Sequence, residues 1–243
     1  MKQNQSQSTD TDVKSQKRRR EAAFYLLPNA FTTGALFAGF YAIIAAIGGQ
    51  AMTAAIAVFV AGILDGVDGR VARMTNSQSE FGVQYDSMSD LVSFGVAPAL
   101  IAYTWSLHSL AEVSPMAGKL GWLAAFIYTA CGALRLARFN AQAAVADKRY
   151  FQGLASPAAA GTLVAVIWFC HDNGISGEQV RWLMVPITAG LGLLMFSRLR
   201  YFSFKAWPPK DRGPLTWALL VVLLFSLLAL DTPLFLMLLG GLY

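Results

Sequence analysis

Charge is scarce in this sequence. Of its 243 residues only 14% are Asp, Glu, Lys or Arg, against about a quarter in a typical soluble domain. A chain so poor in charge is solvated by lipid rather than by water. Cysteine and histidine are scarcer still, with two of each. Cys131 and Cys170 sit in apolar stretches without CxxC spacing, which removes any readable zinc or redox motif. The opening stretch does not read as a signal peptide. The opening stretch MKQNQSQSTDTDVKSQKRRR is polar, with neither an apolar core nor a small-residue cleavage site, and reads as a disordered basic tail over residues 1–23. No sustained heptads and no internal repeat of 20–50 residues occur, so neither a coiled coil nor a solenoid is expected. The net charge of +5 would suit nucleic acid in a soluble protein. In a membrane protein the placement of charge carries the information, and no nucleic-acid partner is expected.

What is present is apolar length. Hydrophobic residues make up 56% of the chain, and runs such as Phe31–Ile47 and Leu215–Leu230 approach the roughly 20 residues that span a bilayer. Eight membrane segments are predicted, near 28–47, 51–73, 83–107, 119–144, 156–171, 182–198, 215–230 and 232–243. The fold class is therefore all-α, a polytopic transmembrane helical bundle. Its parts are the tail, a catalytic bundle over 24–200, a basic loop over 201–214 and C-terminal membrane helices over 215–243. Gly48-Gly49 and Asp231-Thr232-Pro233 read as turns. With the N-terminus in the cytoplasm, 17 of the 19 Lys and Arg residues fall on cytoplasmic parts, and only Lys119 and Arg181 fall outside. That asymmetry is the positive-inside pattern.

Four of the 14 acidic residues lie in or at the ends of apolar segments: Asp65, Asp68, Asp86 and Asp90. An ionised carboxylate near a bilayer centre costs at least ~2.5 kcal/mol, so four together require cations. Asp65 and Asp68 are three apart on the second helix and share a face; Asp86 and Asp90, four apart on the third, do likewise. A short connection makes these helices antiparallel neighbours, and two such faces can close on a divalent pair. Hard oxygen ligands suit Mg²⁺ or Mn²⁺. Gly66 and Gly69 leave the surface beside the aspartates open. Arg70 and Arg73, just beyond, either balance the carboxylates or hold a phosphate. The same carboxylates in a helix without metal would be an ion-paired helix end. On an ion path they would belong to a cation transporter, against which they cluster near one face and not at the midplane.

These residues spell Asp65-Gly-Val-Asp68-Gly69-Arg-Val-Ala72-Arg73, eight residues, then Gly82-Val-Gln-Tyr-Asp86-Ser-Met-Ser-Asp90. The pattern resembles the DxxDGxxAR…GxxxDxxxD signature of the CDP-alcohol phosphatidyltransferases, with all eight signature residues present. Val92-Ser-Phe-Gly-Val-Ala-Pro98, Arg135-Leu-Ala-Arg138-Phe-Asn140 and Phe151-Gln-Gly-Leu-Ala-Ser-Pro157 resemble the phosphatidylserine synthase branch of that family. The resemblance covers about residues 24–170; Ala155 stands where many relatives have proline.

The resemblance implies a six-helix core plus about two extra C-terminal helices. It also implies transfer of a phosphatidyl group from CDP-diacylglycerol to the hydroxyl of L-serine, with CMP released. Metal would be held by Asp65, Asp68, Asp86 and Asp90, with Asp90 also the proposed base; whether Asp90 is base or ligand alone is open in the residues themselves. Arg73 would meet the pyrophosphate. Gly69 and Gly82 would let the nucleotide sit against backbone, and Asn29 and Thr32 would reach the cytidine. Arg135 and Arg138 would bind the serine carboxylate or the lipid phosphate, or else snorkel to headgroups. Ser87 and Asn140 are possible polar supports. Relatives are commonly homodimers. Neither His108 nor His171 maps to the aspartate side, so direct attack without a covalent intermediate is expected. Glycerol 3-phosphate and inositol phosphate remain alternative acceptors on charge alone. The aromatic-rich basic stretch 197–212 suits anionic headgroups or a plain interfacial belt.

Overall fold

The computed structural model describes residues 29–74, 79–142, 151–197 and 200–201. The expected basic tail, nearly all of the 201–214 loop and the two C-terminal helices lie outside the described residues. Six main helices make up the described part: α1 (Asn29–Ile47), α2 (Ala51–Met74), α3 (Glu80–Trp105), α4 (Pro115–Gln142), α5 (Ser156–Asp172) and α6 (Arg181–Phe196). They match the first six expected segments. By length and composition α1, α2 and α4 can cross a membrane, and α3 with the short Leu107–Val113 stretch forms a fourth candidate bent by 48°. The chain is an integral membrane protein with an all-α bundle.

Local chemistry sets the boundaries. The α1–α2 turn closes through Gly49, whose φ of 74° is open to glycine at no steric cost. Ser79 accepts from the Gly82 amide at 3.0 Å and caps α3, starting it at Glu80 instead of the expected position 83. Ser114 accepts from the Ala117 amide at 3.1 Å, so α4 begins at Pro115, four residues before its expected start; proline is at home in a first turn. Pro157 likewise sits in the first turn of α5.

Alanine is the commonest residue of the core, beside large side chains such as Phe94, Tyr128 and Leu163. Ala42, Ala54, Ala55, Ala61, Ala97, Ala102, Ala159 and Ala160 are fully buried, whereas Phe37, Ile47, Ile63, Phe126 and Trp182 are exposed. This inverts a soluble protein: small side chains let helices approach, and large apolar ones meet lipid. Gly39 and Gly192 are among the glycines required outright. A Cβ at Gly39 would overlap Ser93, reaching 2.7 Å from its Cα, and one at Gly192 would lie 2.6 Å from Tyr128 Cα. The close contact of α1 with α3 also lets Ser89 and Ser93 donate to the carbonyls of Thr32 and Ala35.

Within α3, residues Leu91–Val96 form a π-helical segment immediately after Asp90. Pro98 has no N–H, so the Phe94 carbonyl loses its usual i+4 donor. The Tyr128 hydroxyl from α4 donates to that carbonyl at 3.1 Å, and Thr129 donates to the Gly95 carbonyl at 3.2 Å. Past α4 the chain returns as a two-residue strand, Phe151–Gln152, antiparallel to Arg200–Tyr201. The Leu154 amide donates to Leu194 at 3.2 Å, so the entry to α5 is tied to the end of α6.

Candidate active site

The site is built where α2 and α3 face each other. One oxygen each from Asp65, Asp68 and Asp86 can be chosen so that all lie within 4.8 Å of one another. Asp90 lies carboxyl to carboxyl against Asp65. The i,i+3 and i,i+4 spacings thus bring all four carboxyls into one cluster, three as a close triad and the fourth at its side.

Asp68 is the deepest of them, 4% exposed. Thr32 from α1 is also buried, and its hydroxyl donates to Asp68 Oδ2 at 2.8 Å. Asp86 Oδ1 is buried and accepts no hydrogen bond from any described residue. Burying a carboxylate oxygen without a partner is costly. Like charges this close repel one another. An orphaned inward-facing oxygen beside two further carboxylates fits a hard divalent cation, in donor type and in charge. Beside the cluster, a Cβ added to Gly66 or Gly69 would meet nothing within 4 Å, so a bulky ligand has room to approach this face of α2.

The remaining expected site residues separate. Thr32, expected beside the cytidine, hydrogen-bonds Asp68. Asn29 lies near Gly82: its Oδ1 would be 3.5 Å from a Cβ on Gly82. Gly82 itself is held at the capped start of α3. Arg73 is on the last turn of α2, and its side chain lies outside the described residues. Ser87 and Asn140 bond each other at 3.0 Å, joining α3 to α4.

Arg135 and Arg138, a single pair in the sequence reading, have different surroundings. Arg138 Nη1 donates to the Phe196 carbonyl at 3.1 Å, Nη2 to the Ser197 carbonyl at 3.4 Å, and the guanidinium lies 5.0 Å from the Phe196 ring centroid. A cation at the carbonyl end of a helix is favourable, and Arg138 thereby holds the end of α6. Arg135 Nη1 donates to Ser156 Oγ at 2.8 Å, at the start of α5. On the antiparallel α3 and α4, Asn140 is level with Ser87 and Gly132 with Gly95. Arg135 therefore lies close in depth to Asp90.

Some neighbours of the site carry little signal in the sequence. Tyr85 shares a 2.9 Å hydrogen bond with Thr33 and stacks on Phe81 at 5.9 Å between centroids. Ser156 had been quoted only within a motif. Ser79, three residues before Gly82, had the pattern of a helix cap.

Comparison with known proteins agrees with this geometry. Relatives that carry the name CDP-diacylglycerol–serine O-phosphatidyltransferase include those of Helicobacter pylori, Bacillus subtilis and Mycobacterium tuberculosis. That of Helicobacter pylori is 36% identical over 203 residues, covering 84% of this chain and 81% of that protein. That of Bacillus subtilis is 33% identical, covering 74% of this chain and 91% of the relative. That of Mycobacterium tuberculosis is 34% identical, covering 74% and 62%. The model of the CDP-alcohol phosphatidyltransferase family matches residues 25–195, reaching beyond the 24–170 stretch of motif resemblance through the end of α6. The match spans all six helices and both halves of the aspartate cluster: the chain belongs to the CDP-alcohol phosphatidyltransferase family.

Proposed function

We propose that this protein transfers the phosphatidyl group of CDP-diacylglycerol to the hydroxyl of L-serine, releasing CMP and forming phosphatidylserine. The observation that carries the reading is the triad Asp65, Asp68 and Asp86 with Asp90 alongside, in a chain of this family. Serine as acceptor is supported by the names of the relatives and by the position of Arg135.

In this reading Asp65, Asp68 and Asp86, with Asp90 as a further ligand, hold two divalent cations, Mg²⁺ or Mn²⁺. When bound, such a pair supplies positive charge for the attacking and leaving oxygens of an in-line displacement. The protein's own groups do the rest. Thr32 fixes the Asp68 carboxylate. Asp90 takes the proton from the serine hydroxyl as its oxygen bonds to phosphorus and the bond to CMP breaks. The open backbone at Gly69 admits the nucleotide, with Asn29 and Gly82 beside it and Arg73 on the pyrophosphate. Arg135, steadied by Ser156, meets the serine carboxylate, a role that suits guanidinium geometry. Arg138 supports that arrangement from the α6 end. The site opens to the cytoplasm and the N-terminus is cytoplasmic, a placement supported by the distribution of Lys and Arg. The working unit is a homodimer.

The test is CMP release by protein purified in detergent, supplied with CDP-diacylglycerol and Mg²⁺ or Mn²⁺. L-Serine, glycerol 3-phosphate, inositol phosphate or no acceptor is added in parallel. Release that depends on serine is expected. Release with another acceptor would keep the family and refute serine. No metal-dependent release with any acceptor, from folded protein, would refute the catalytic reading.

A further inference from the structure

We infer that Tyr128, distant in sequence from every signature residue, is a positioning residue for the aspartate cluster. It acts through the π-helical segment that directly follows the α-helical turns carrying Asp86 and Asp90. Asp90 is the last residue before that segment, and Leu91–Val96 follow directly. In an α-helix each residue turns about 100°, and a π segment turns less per residue. The segment therefore sets how the aspartate-bearing turns are rotated relative to the helix below it, where Ala97, Pro98, Ile101 and Ala102 are buried. If Leu91–Val96 relaxed to α-helical winding, the two ends of α3 would change phase by about one residue position. Either the core face or the carboxylate face would lose its neighbours.

Pro98 has no N–H to offer the Phe94 carbonyl four residues back, which weakens the α-helical alternative at this point. Tyr128 is fully buried, and its hydroxyl reaches that carbonyl at 3.1 Å. Thr129 shares its hydroxyl between Gly95 and Ala125, at 3.2 Å each. Tyr128 is itself held in place from behind, because Gly192 of α6 packs against its backbone with no room for a Cβ. Short π segments occur often at functional sites. Here the reason is mechanical: α4 and α6 clamp a winding defect that aims two carboxylates at Asp65 and Asp68.

The inference rests on the metal reading of the site and not on serine as acceptor. Its test therefore uses Mn²⁺ binding, followed by electron paramagnetic resonance of full-length protein in detergent, beside amide hydrogen exchange. In Tyr128→Phe, amides of residues 91–97 are expected to exchange at least tenfold faster, and Mn²⁺ affinity is expected to fall several-fold. The Pro98→Ala/Tyr128→Phe double variant returns an amide donor to Phe94 but removes the reason for π winding. It is expected to regain exchange protection and not Mn²⁺ affinity. Should Tyr128→Phe fail to fold, Thr129→Val is read by the same two measurements with the same expected directions. Faster exchange with unchanged Mn²⁺ affinity would overturn the inference and leave Tyr128 a packing residue; so would unchanged exchange. If wild-type protein binds Mn²⁺ yet releases no CMP with serine, the functional reading fails while this one stands.

Discussion

Thr32 of α1 donates to Asp68 Oδ2 across 2.8 Å, and both residues are buried. This bond ties the first helix to the aspartate-bearing face of the second. A hydrogen bond to a charged group contributes about 1.5–3 kcal/mol. Thr32→Val, which keeps the shape, is expected to lower kcat/KM about tenfold or more and raise the Mg²⁺ concentration needed for half-maximal rate. Thr32→Ser is expected to retain most activity. A steady-state titration with Mg²⁺ checks both.

The two arginines of α4 should respond differently. Arg135→Ala is expected to raise KM for serine at least tenfold, with little change in KM for CDP-diacylglycerol. Arg138→Ala removes a cation from the carbonyl end of α6, an interaction of order 0.3–2 kcal/mol. It is expected to lower thermal stability in detergent more than it changes either KM. Equal effects on serine KM would restore the view of them as a pair.

Gly69 faces open space, so Gly69→Leu is expected to leave folding intact while raising KM for CDP-diacylglycerol at least tenfold. Gly39 differs, because its missing Cβ is what admits Ser93. Gly39→Val is expected to destabilise the bundle by about 1–3 kcal/mol. Thermal unfolding followed with substrate kinetics separates the two.

Much of this was legible in the sequence because membrane burial makes polar residues conspicuous. Four carboxylates in apolar segments stand out, and helical spacing alone pairs them on two faces. The first six segments were visible for the same reason. Their starts were less so: Ser79 and Ser114 move the beginnings of α3 and α4 by three and four residues, through single capping bonds that hydrophobic runs do not encode. The different surroundings of Arg135 and Arg138 were hidden, since they depend on where Ser156 and the end of α6 arrive from distant sequence. The position of Thr32 at the head of α1 was visible in the sequence, and its bond to Asp68 was not. Pro98 hinted at an irregular α3, but the donor that repairs it, Tyr128, lies 30 residues away on another helix.

The central claim is that the four aspartates form one metal-dependent catalytic unit with separable parts. The most direct measurement compares Mn²⁺ binding and serine-dependent CMP release in wild type, Asp86→Asn and Asp90→Asn after removal of bound metal by chelation. Stripped wild type is expected to be inactive and to recover with Mg²⁺ or Mn²⁺. Asp86→Asn is expected to lose metal affinity and activity together. Asp90→Asn is expected to keep most of its Mn²⁺ affinity while release falls by about 10²-fold or more, the scale of general-base catalysis. Full activity in the chelated protein, or in either variant, would contradict the claim.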